Sequence, residues 1–347
     1  MGEDIIMNRI ETIRYMGIKT NLLDYIIPEI IKITPQNGIV LDIMAGSNAV
    51  SYALKEFFTV YTNDIQSYSY SISDAIIVNQ TENISSSTAK KELLSFYNDN
   101  NTNKYYHYFE DTYSFTYFSD KQCRDIDSLR YAIEQIDNEH RKNLYLFALM
   151  GAMCKVQSTP GHFAQFMPAN HARIIPLQRM SLLETFWDKC NLYSDLYFNN
   201  KSNLAFNMDF QELLQSDIVN NVDTIYLDSP YTQEQYSRFY HILETVIKYD
   251  YPEVNFKAKY RNDRFQSSFC YKSKVESEFI TIFKHCQKSS TNLLISYSNK
   301  GLISVERLQE LAKSYFKNVQ LQNIDYKHST QGKGSNKLKE ILLTCTN

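Results

Sequence analysis

Residues 228–231, Asp-Ser-Pro-Tyr, follow directly on the largely apolar run from Val222 to Leu227. An acid, a carbonyl held next to a proline and an aromatic ring at a strand end can accept hydrogen bonds from a planar amino group and stack on the ring that carries it. The same four residues would also serve as an ordinary strand-end turn, where Asp, Ser and Pro are common. Other chemistry-bearing residues at matching strand ends separate the two readings. Three acids qualify: Asp42 before the loop Ile43-Met44-Ala45-Gly46-Ser47, Asp64 after Thr59 to Asn63, and Asp209 after Leu204 to Met208. An acid ending the second strand of an open sheet can accept both hydroxyls of a ribose, and a small-residue loop after the first lets the backbone approach a nucleoside. That loop lacks the three-glycine dinucleotide fingerprint and the Gly-Lys-Ser/Thr of a phosphate loop. The pattern argues against NAD and ATP and for a nucleoside ligand without a pyrophosphate.

These side chains need strands to hold them. Gly38 to Ile43 reads as a buried strand, Ala49, Val50, Ala53, Leu54 and Phe57 recur at helical spacing, and Thr59 to Asn63 reads as a second strand. Strand, helix, strand opens a parallel sheet whose ligand crevice lies at the strands' carboxyl ends. The alternation then stops. Ser85-Ser86-Ser87 and Asn98 to Asn103 read as loops, Tyr105 to Phe118 is crowded with aromatics, Ile126 to Tyr145 reads as helical, and Gly161 to Phe166 as an irregular loop. Strand patterns resume at Leu204 to Asp209, Val222 to Asp228 and Asn292 to Tyr297, and Val319 to Tyr326 with Glu340 to Thr346 form a closing pair. The expected organisation is an α/β chain in three parts, residues 1–84, an insertion at 85–200, and 201–347.

In this order the segments resemble the Dam-like family of S-adenosylmethionine-dependent adenine-N6 DNA methyltransferases, in the α-type motif arrangement. Arg14-Tyr15-Met16-Gly17-Ile18-Lys19 is similar to the family's aromatic-x-Gly-x-Lys entry motif, Leu41 to Val50 to its cofactor loop, Asn63-Asp64-Ile65-Gln66 to its ribose acid, and Asp209-Phe210 to its adenine contact. Asp228-Ser229-Pro230-Tyr231, with Gln235-Tyr236 and the segment Tyr240 to Glu244, resembles the catalytic motif and the helix after it. The resemblance implies a Rossmann-like class I methyltransferase sheet with an inserted, mainly helical target-recognition domain. It implies S-adenosylmethionine as cofactor, held by Tyr15, Lys19, Asp42, Met44, Ala45, Gly46, Asp64, Ile65, Asp209 and Phe210, and catalysis at Asp228, Ser229, Pro230 and Tyr231. The implied partners are double-stranded DNA, with the target adenine flipped from the helix, and a cognate restriction endonuclease or defence-system subunit. The implied location is cytoplasmic and DNA-associated, of bacterial or phage type.

Two positions depart from the family pattern. Asn48 stands where the family often has Gly, which implies either a tighter methionine end of the cofactor site or a left-handed backbone that Asn tolerates. Ser229 replaces the first proline of the catalytic motif; its carbonyl is retained but the fixed φ is lost. Readings that stay open on sequence are a catalytically silent DNA-binding relative, a cytosine-N4 methyltransferase and an RNA adenine methyltransferase.

The net charge of −3 leaves nucleic-acid binding to local basic segments. Lys257, Lys259, Arg261 and Arg264, continuing to Lys272 and Lys274, form one candidate backbone clamp, and Lys327, His328, Lys333, Lys337 and Lys339 are a second basic stretch. His162, Arg173 and Arg179 are candidate DNA contacts within the insertion. Six scattered cysteines with no C-x-x-C pair point to reduced thiols, and no metal is expected. No apolar run reaches the roughly 20 residues of a membrane span, no basic leader precedes Ile5, and Ile6 stands where Met1-Gly2 would need Ser or Thr for myristoylation.

Overall fold

The computed structural model describes residues 7–17, 19–168, 170–324 and 339–347. The Met1-Gly2 start, Ile6, Ile18, Tyr326 and the basic residues Lys327, His328, Lys333 and Lys337 lie outside the described residues. The first part of the chain carries α1 (Leu23–Ile33), β1 (Ile39–Asp42), α2 (Ala49–Leu54), β2 (Thr59–Asn63) and α3 (Ser67–Ser73). The insertion is helical: α4 (Ser86–Asn103), α5 (Tyr108–Tyr113), α6 (Asp120–Glu134), α7 (Glu139–Val156), α8 (Ile174–Arg179) and α9 (Leu182–Leu192). The sheet resumes with β3 (Leu204–Phe206), α10 (Phe210–Gln215), β4 (Thr224–Leu227), α11 (Tyr236–Phe239) and α12 (His241–Lys248). A short hairpin of β5 (Val254–Asn255) and β6 (Tyr260–Arg261) precedes α13 (Val275–Ser289), β7 (Asn292–Ser298), α14 (Val305–Lys313), β8 (Asn318–Ile324) and β9 (Glu340–Thr346).

Seven strands form one sheet in the order β3-β2-β1-β4-β7-β9-β8. All run parallel except β9, which is antiparallel to both β7 and β8. The order reverses between β1 and β4, where Val40 pairs with Thr224 and Asp42 with Tyr226, so the crevice at their carboxyl ends is the natural ligand site. Alternate residues face opposite layers: Val40, Tyr226 and Leu294 join one core, and Leu41, Ile225, Leu227, Leu293 and Ile295 the other. Strands buried on both faces explain why β4 reads as a continuous apolar run instead of an alternating one. The insertion's Phe109, Leu129, Leu144 and Phe147 share the first core with Ile26 and Ile30 of α1.

Three local expectations are corrected. Ser85-Ser86-Ser87 and Asn98 to Asn103 are the two ends of α4, not loops. Ser85 caps the helix by accepting the Thr88 N–H, Ala89, Leu93, Tyr97 and Asn100 bury one face, and Asn101 turns its amide back on the Tyr97 carbonyl, so tertiary burial outweighs the turn preference of Ser and Asn. The span Ile126 to Tyr145 is two helices, because Asn138 accepts the Arg141 N–H and starts α7 afresh. Strand β3 stops at Phe206, and Asp209 serves as the N-cap of α10, accepting the Gln211 N–H at 2.8 Å.

Candidate active site

The loop after β1 bends through two left-handed residues, Gly46 at φ +51° and Asn48 at φ +63°. The expected role of Asn48 follows from its contacts: its Oδ1 accepts from Ser73 Oγ at 2.7 Å and its Nδ2 donates to the Ser69 carbonyl at 3.2 Å, fixing the turn that starts α2. A Cβ on Gly46 would sit 3.1 Å from the Tyr15 ring, so the N-terminal segment closes against bare backbone here. Asn63 ties three strand ends together, its carbonyl accepting from Ala45 N–H and its amide donating to the Ile43 and Met208 carbonyls.

Two acids stand beside this loop. Asp64 accepts the N–H groups of Gly46 and Gln66, both at 2.9 Å, and burial raises its carboxyl to about 6 against those bonds. Burial raises Asp42 further, to about 7; Ser51 donates to its Oδ2 at 2.5 Å, and its buried Oδ1 has no partner among the described residues. Across the reversal, Asp228 Oδ2 lies 2.8 Å from Lys19 Nζ, which also donates to the Gly17 carbonyl at 2.9 Å. Lys19 is only 4% exposed. Burial alone would depress its ammonium, but Asp228, with Glu340 beyond it, holds it well above the ordinary lysine value. Burial pushes Asp228 up, and Lys19 pulls it back.

All the residues predicted to hold the cofactor line a single open cleft, together with Asp228 and Pro230. Ser229 and Tyr231 do not line it. Ser229 is 1% exposed and its Oγ has no partner among the described residues, and Tyr231 turns its ring edge-on to Tyr297 at 6.2 Å while its carbonyl accepts the Leu302 N–H at 3.0 Å. The sequence does not single out Phe265, Ser267 and Ser268 of the strap before α13, which line the cleft with Tyr226, nor Glu340, buried at the start of β9. Gln235 and Ser267 bond reciprocally to hold the strap, and the lone acid opening an otherwise apolar strand was the visible signal for Glu340.

The DNA candidates separate. Arg173 before α8, Arg179 at its last position and Lys257 in the hairpin are exposed. His162 packs edge-on to Phe239 at 4.7 Å, and burial lowers its imidazole below the ordinary value. Lys259 donates to the Thr112 carbonyl, and Arg264 donates to the Arg261 carbonyl with its guanidinium 4.8 Å over the Tyr260 ring. Arg261 is 2% exposed and paired with Asp250 and Asp263, so the stretch is not a uniform clamp; at this position a buried cation is held by two carboxylates instead of facing a phosphate.

Among the described residues no cluster of three His, Cys, Asp or Glu could hold a metal, all six cysteines are buried and free, and no helix is long and apolar enough to cross a membrane.

The family model for D12 class N6 adenine-specific DNA methyltransferases matches residues 15–320, from the cleft's Tyr15 to β8. The chain belongs to this family. The chain is similar to modification methylase LlaI of Lactococcus lactis subsp. lactis, 29% identical over 351 residues that make up 95% of this chain and 54% of LlaI. It is likewise similar to modification methylase StsI of Streptococcus sanguinis, 29% identical over 94% of this chain and 50% of StsI. Type II methyltransferase M.NlaIII of Neisseria lactamica is 25% identical over 87% of this chain and 88% of its own length. The D12 chain thus spans about half the length of LlaI and StsI. Its family membership implies a methyl donor, which the cleft at the β1/β4 reversal has room to take.

Proposed function

We propose that this chain binds S-adenosylmethionine in the cleft and methylates N6 of an adenine flipped out of double-stranded DNA. The observation that carries the reading is the convergence of the residues resembling the family's cofactor motifs and of Asp228 on one cleft at the sheet's reversal point. The residues fit such a donor. Asp64 at the end of β2 suits the ribose, the bare backbone at Gly46 suits close approach, and the orphaned Asp42 Oδ1 suits a cationic or hydroxyl donor. Once bound, the donor supplies an electrophilic methyl on a positively charged sulfur.

The protein's part is to hold the amino group in line and accept its hydrogen bonds. Asp228 offers a carboxylate to one N–H and the Ser229 carbonyl suits the other, while the aromatic walls formed by Tyr226 and Tyr236 exclude water. Tyr231, its ring edge-on to Tyr297, is the aromatic to stack on the flipped base. Residues 85–200 serve as the target-recognition region. The exposed Arg173, Arg179 and Lys257 are the phosphate contacts, and the half-buried His162 is a contact to the DNA or the flipped base. The names of LlaI, StsI and M.NlaIII favour a type II restriction–modification setting with a cognate endonuclease.

Incubation with methyl-labelled S-adenosylmethionine and unmethylated mixed-sequence duplex DNA, followed by digestion to nucleosides, tests the proposal. Label in N6-methyladenosine is expected. Label in N4-methylcytosine, or in RNA in preference to duplex DNA, overturns it.

A further inference from the structure

Ser237 Oγ donates to the Phe265 carbonyl at 2.5 Å, joining α11 to the strap, and both residues line the cleft. Each has an arginine as its chain neighbour. Arg238 donates from Nε to the Tyr260 hydroxyl at 3.1 Å with its guanidinium 5.4 Å from the centre of that ring, and the Arg264 guanidinium lies 4.8 Å from the same centre. Tyr260 is itself fixed, 7% exposed and donating its hydroxyl to the Ala164 carbonyl. One buried phenol thus holds two cations beside the cleft wall.

The acids nearby leave these cations largely unanswered. Ile65, Gln66, Ser237 and Phe265 also line a small recess beside the cleft, whose charged side chains are Glu244, Lys248, Arg261, Asp263 and Arg264. Glu244 pairs with Lys248 at 2.8 Å and Asp263 with Arg261 at 2.8 Å, while burial lowers the His241 imidazole there to about 3 and keeps it neutral. Arg264 is the cation left over: its Nε bonds the Arg261 carbonyl at 3.0 Å, and no carboxylate among the described residues pairs with it. Arg238 has Glu234 at 3.5 Å, with both side chains exposed, and such a pair contributes little. Two guanidiniums on one ring with one loose carboxylate are short of an anion.

We propose that Arg238 and Arg264 seat a phosphodiester of the DNA strand that carries the target adenine, next to the nucleotide whose base enters the cleft. The inference rests on the methyl-transfer reading and adds to the exposed contacts at Arg173, Arg179 and Lys257. A guanidinium offers a planar fork of N–H donors matched to two phosphate oxygens, and Tyr260 places both forks before DNA arrives, so less side-chain freedom is lost than with free surface lysines. A contact at the cleft wall does more than add affinity. The flipped base must be held with its amino nitrogen at near-attack distance, and anchoring the phosphate beside it limits how far its sugar can swing. Phosphate contacts elsewhere on the duplex set register and affinity without touching that distance.

The test is fluorescence anisotropy of an unmethylated mixed-sequence duplex across a salt series, with single-turnover methylation at saturating DNA. The proteins are wild type, R238Q, R264Q, R264K and, as a control, R307Q on α14, where Arg307 pairs with Glu276 at 2.6 Å. R238Q and R264Q should each lower the slope of log affinity against log salt by about 1. Each should also slow the saturated single turnover by about tenfold, while S-adenosylmethionine affinity by calorimetry stays within about threefold of wild type. R264K keeps the charge and should keep the slope while recovering part of the rate, and R307Q should match wild type in both. Unchanged slopes in R238Q and R264Q overturn the proposal. So does a lowered slope with a wild-type saturated rate, which would put the phosphate away from the flipped nucleotide. An equal loss of slope in R307Q overturns it too, since the effect would then be general. If R264Q does not fold, R238Q decides by the same two readings. A wild type that methylates no DNA sinks the parent reading instead, and the salt slopes, which need no turnover, still decide the seat.

Discussion

Lys19 and Asp228, far apart in the chain, meet at 2.8 Å with the lysine 4% and the aspartate 22% exposed. The acid at the end of β4 is therefore held by a cation delivered from the N-terminal segment, which would orient the proposed amino-group acceptor in advance. Asp228→Ala should lower methyl transfer by about 10²–10³-fold, the range seen when one preorganised transition-state contact is removed. It should also lower the melting temperature, because Lys19 is left charged and buried without its partner. Single-turnover kinetics and thermal melts on one preparation check both.

Cofactor affinity should rise with pH between about 5.5 and 7.5 and then level, following the directions set by Asp42 and Asp64. Burial raises Asp42 to about 7 and Asp64 to about 6 in the free protein, so each holds a proton below those values. A cationic donor favours the ionised forms, so binding releases protons at low pH and none at high pH. Calorimetry in two buffers of different ionisation enthalpy would show the release; uptake of protons would contradict the assignment.

Ser229→Ala should raise stability by roughly 1 kcal/mol while leaving activity within a few-fold, since a buried hydroxyl without a partner loses its hydrogen bond to water for nothing. The carbonyl remains, so the chemistry should survive. A large loss of activity would mean that the hydroxyl itself meets the substrate.

Gly46→Ala should weaken S-adenosylmethionine binding at least tenfold. The left-handed backbone at φ +51° costs an alanine about 1 kcal/mol, and the new methyl forces the Tyr15 ring aside from its 3.1 Å approach. Tyr15 stacks on Tyr240 at 4.6 Å, so the displacement carries into the cleft wall. Equilibrium dialysis with labelled cofactor measures it.

Arg261→Ala and Lys257→Ala should part company. The first removes a buried guanidinium bonded to Asp250 and Asp263; with both acids able to rehydrate, the loss is about 1.5–3 kcal/mol of stability. The second should leave the melt unchanged and weaken DNA binding equally on all sequences, with a salt slope reduced by about 1. Equal effects of the two on DNA affinity, without loss of stability, would contradict the inward role of Arg261.

Much of this protein was legible without coordinates wherever the signal was local. Asp42, Asp64, Asp209 and Asp228 sit at or just past strand ends, the periods of Ile39–Asp42 and Thr59–Asn63 are those of buried parallel strands, and the helical insertion falls between β2 and β3. Those features depend on side-chain period and on the few residues that turn a chain, which are written residue by residue. Tertiary structure decided the rest. It made a helix of a Ser- and Asn-rich segment by burying Ala89, Leu93 and Tyr97, and turned Arg261 inward to two carboxylates. It also brought Lys19 and Asp228 together from two distant stretches of chain into one ion pair at the mouth of β4. Whether a charge is buried, and which partner answers it, depends on strand order and packing between residues remote in sequence, and no local pattern carries that information.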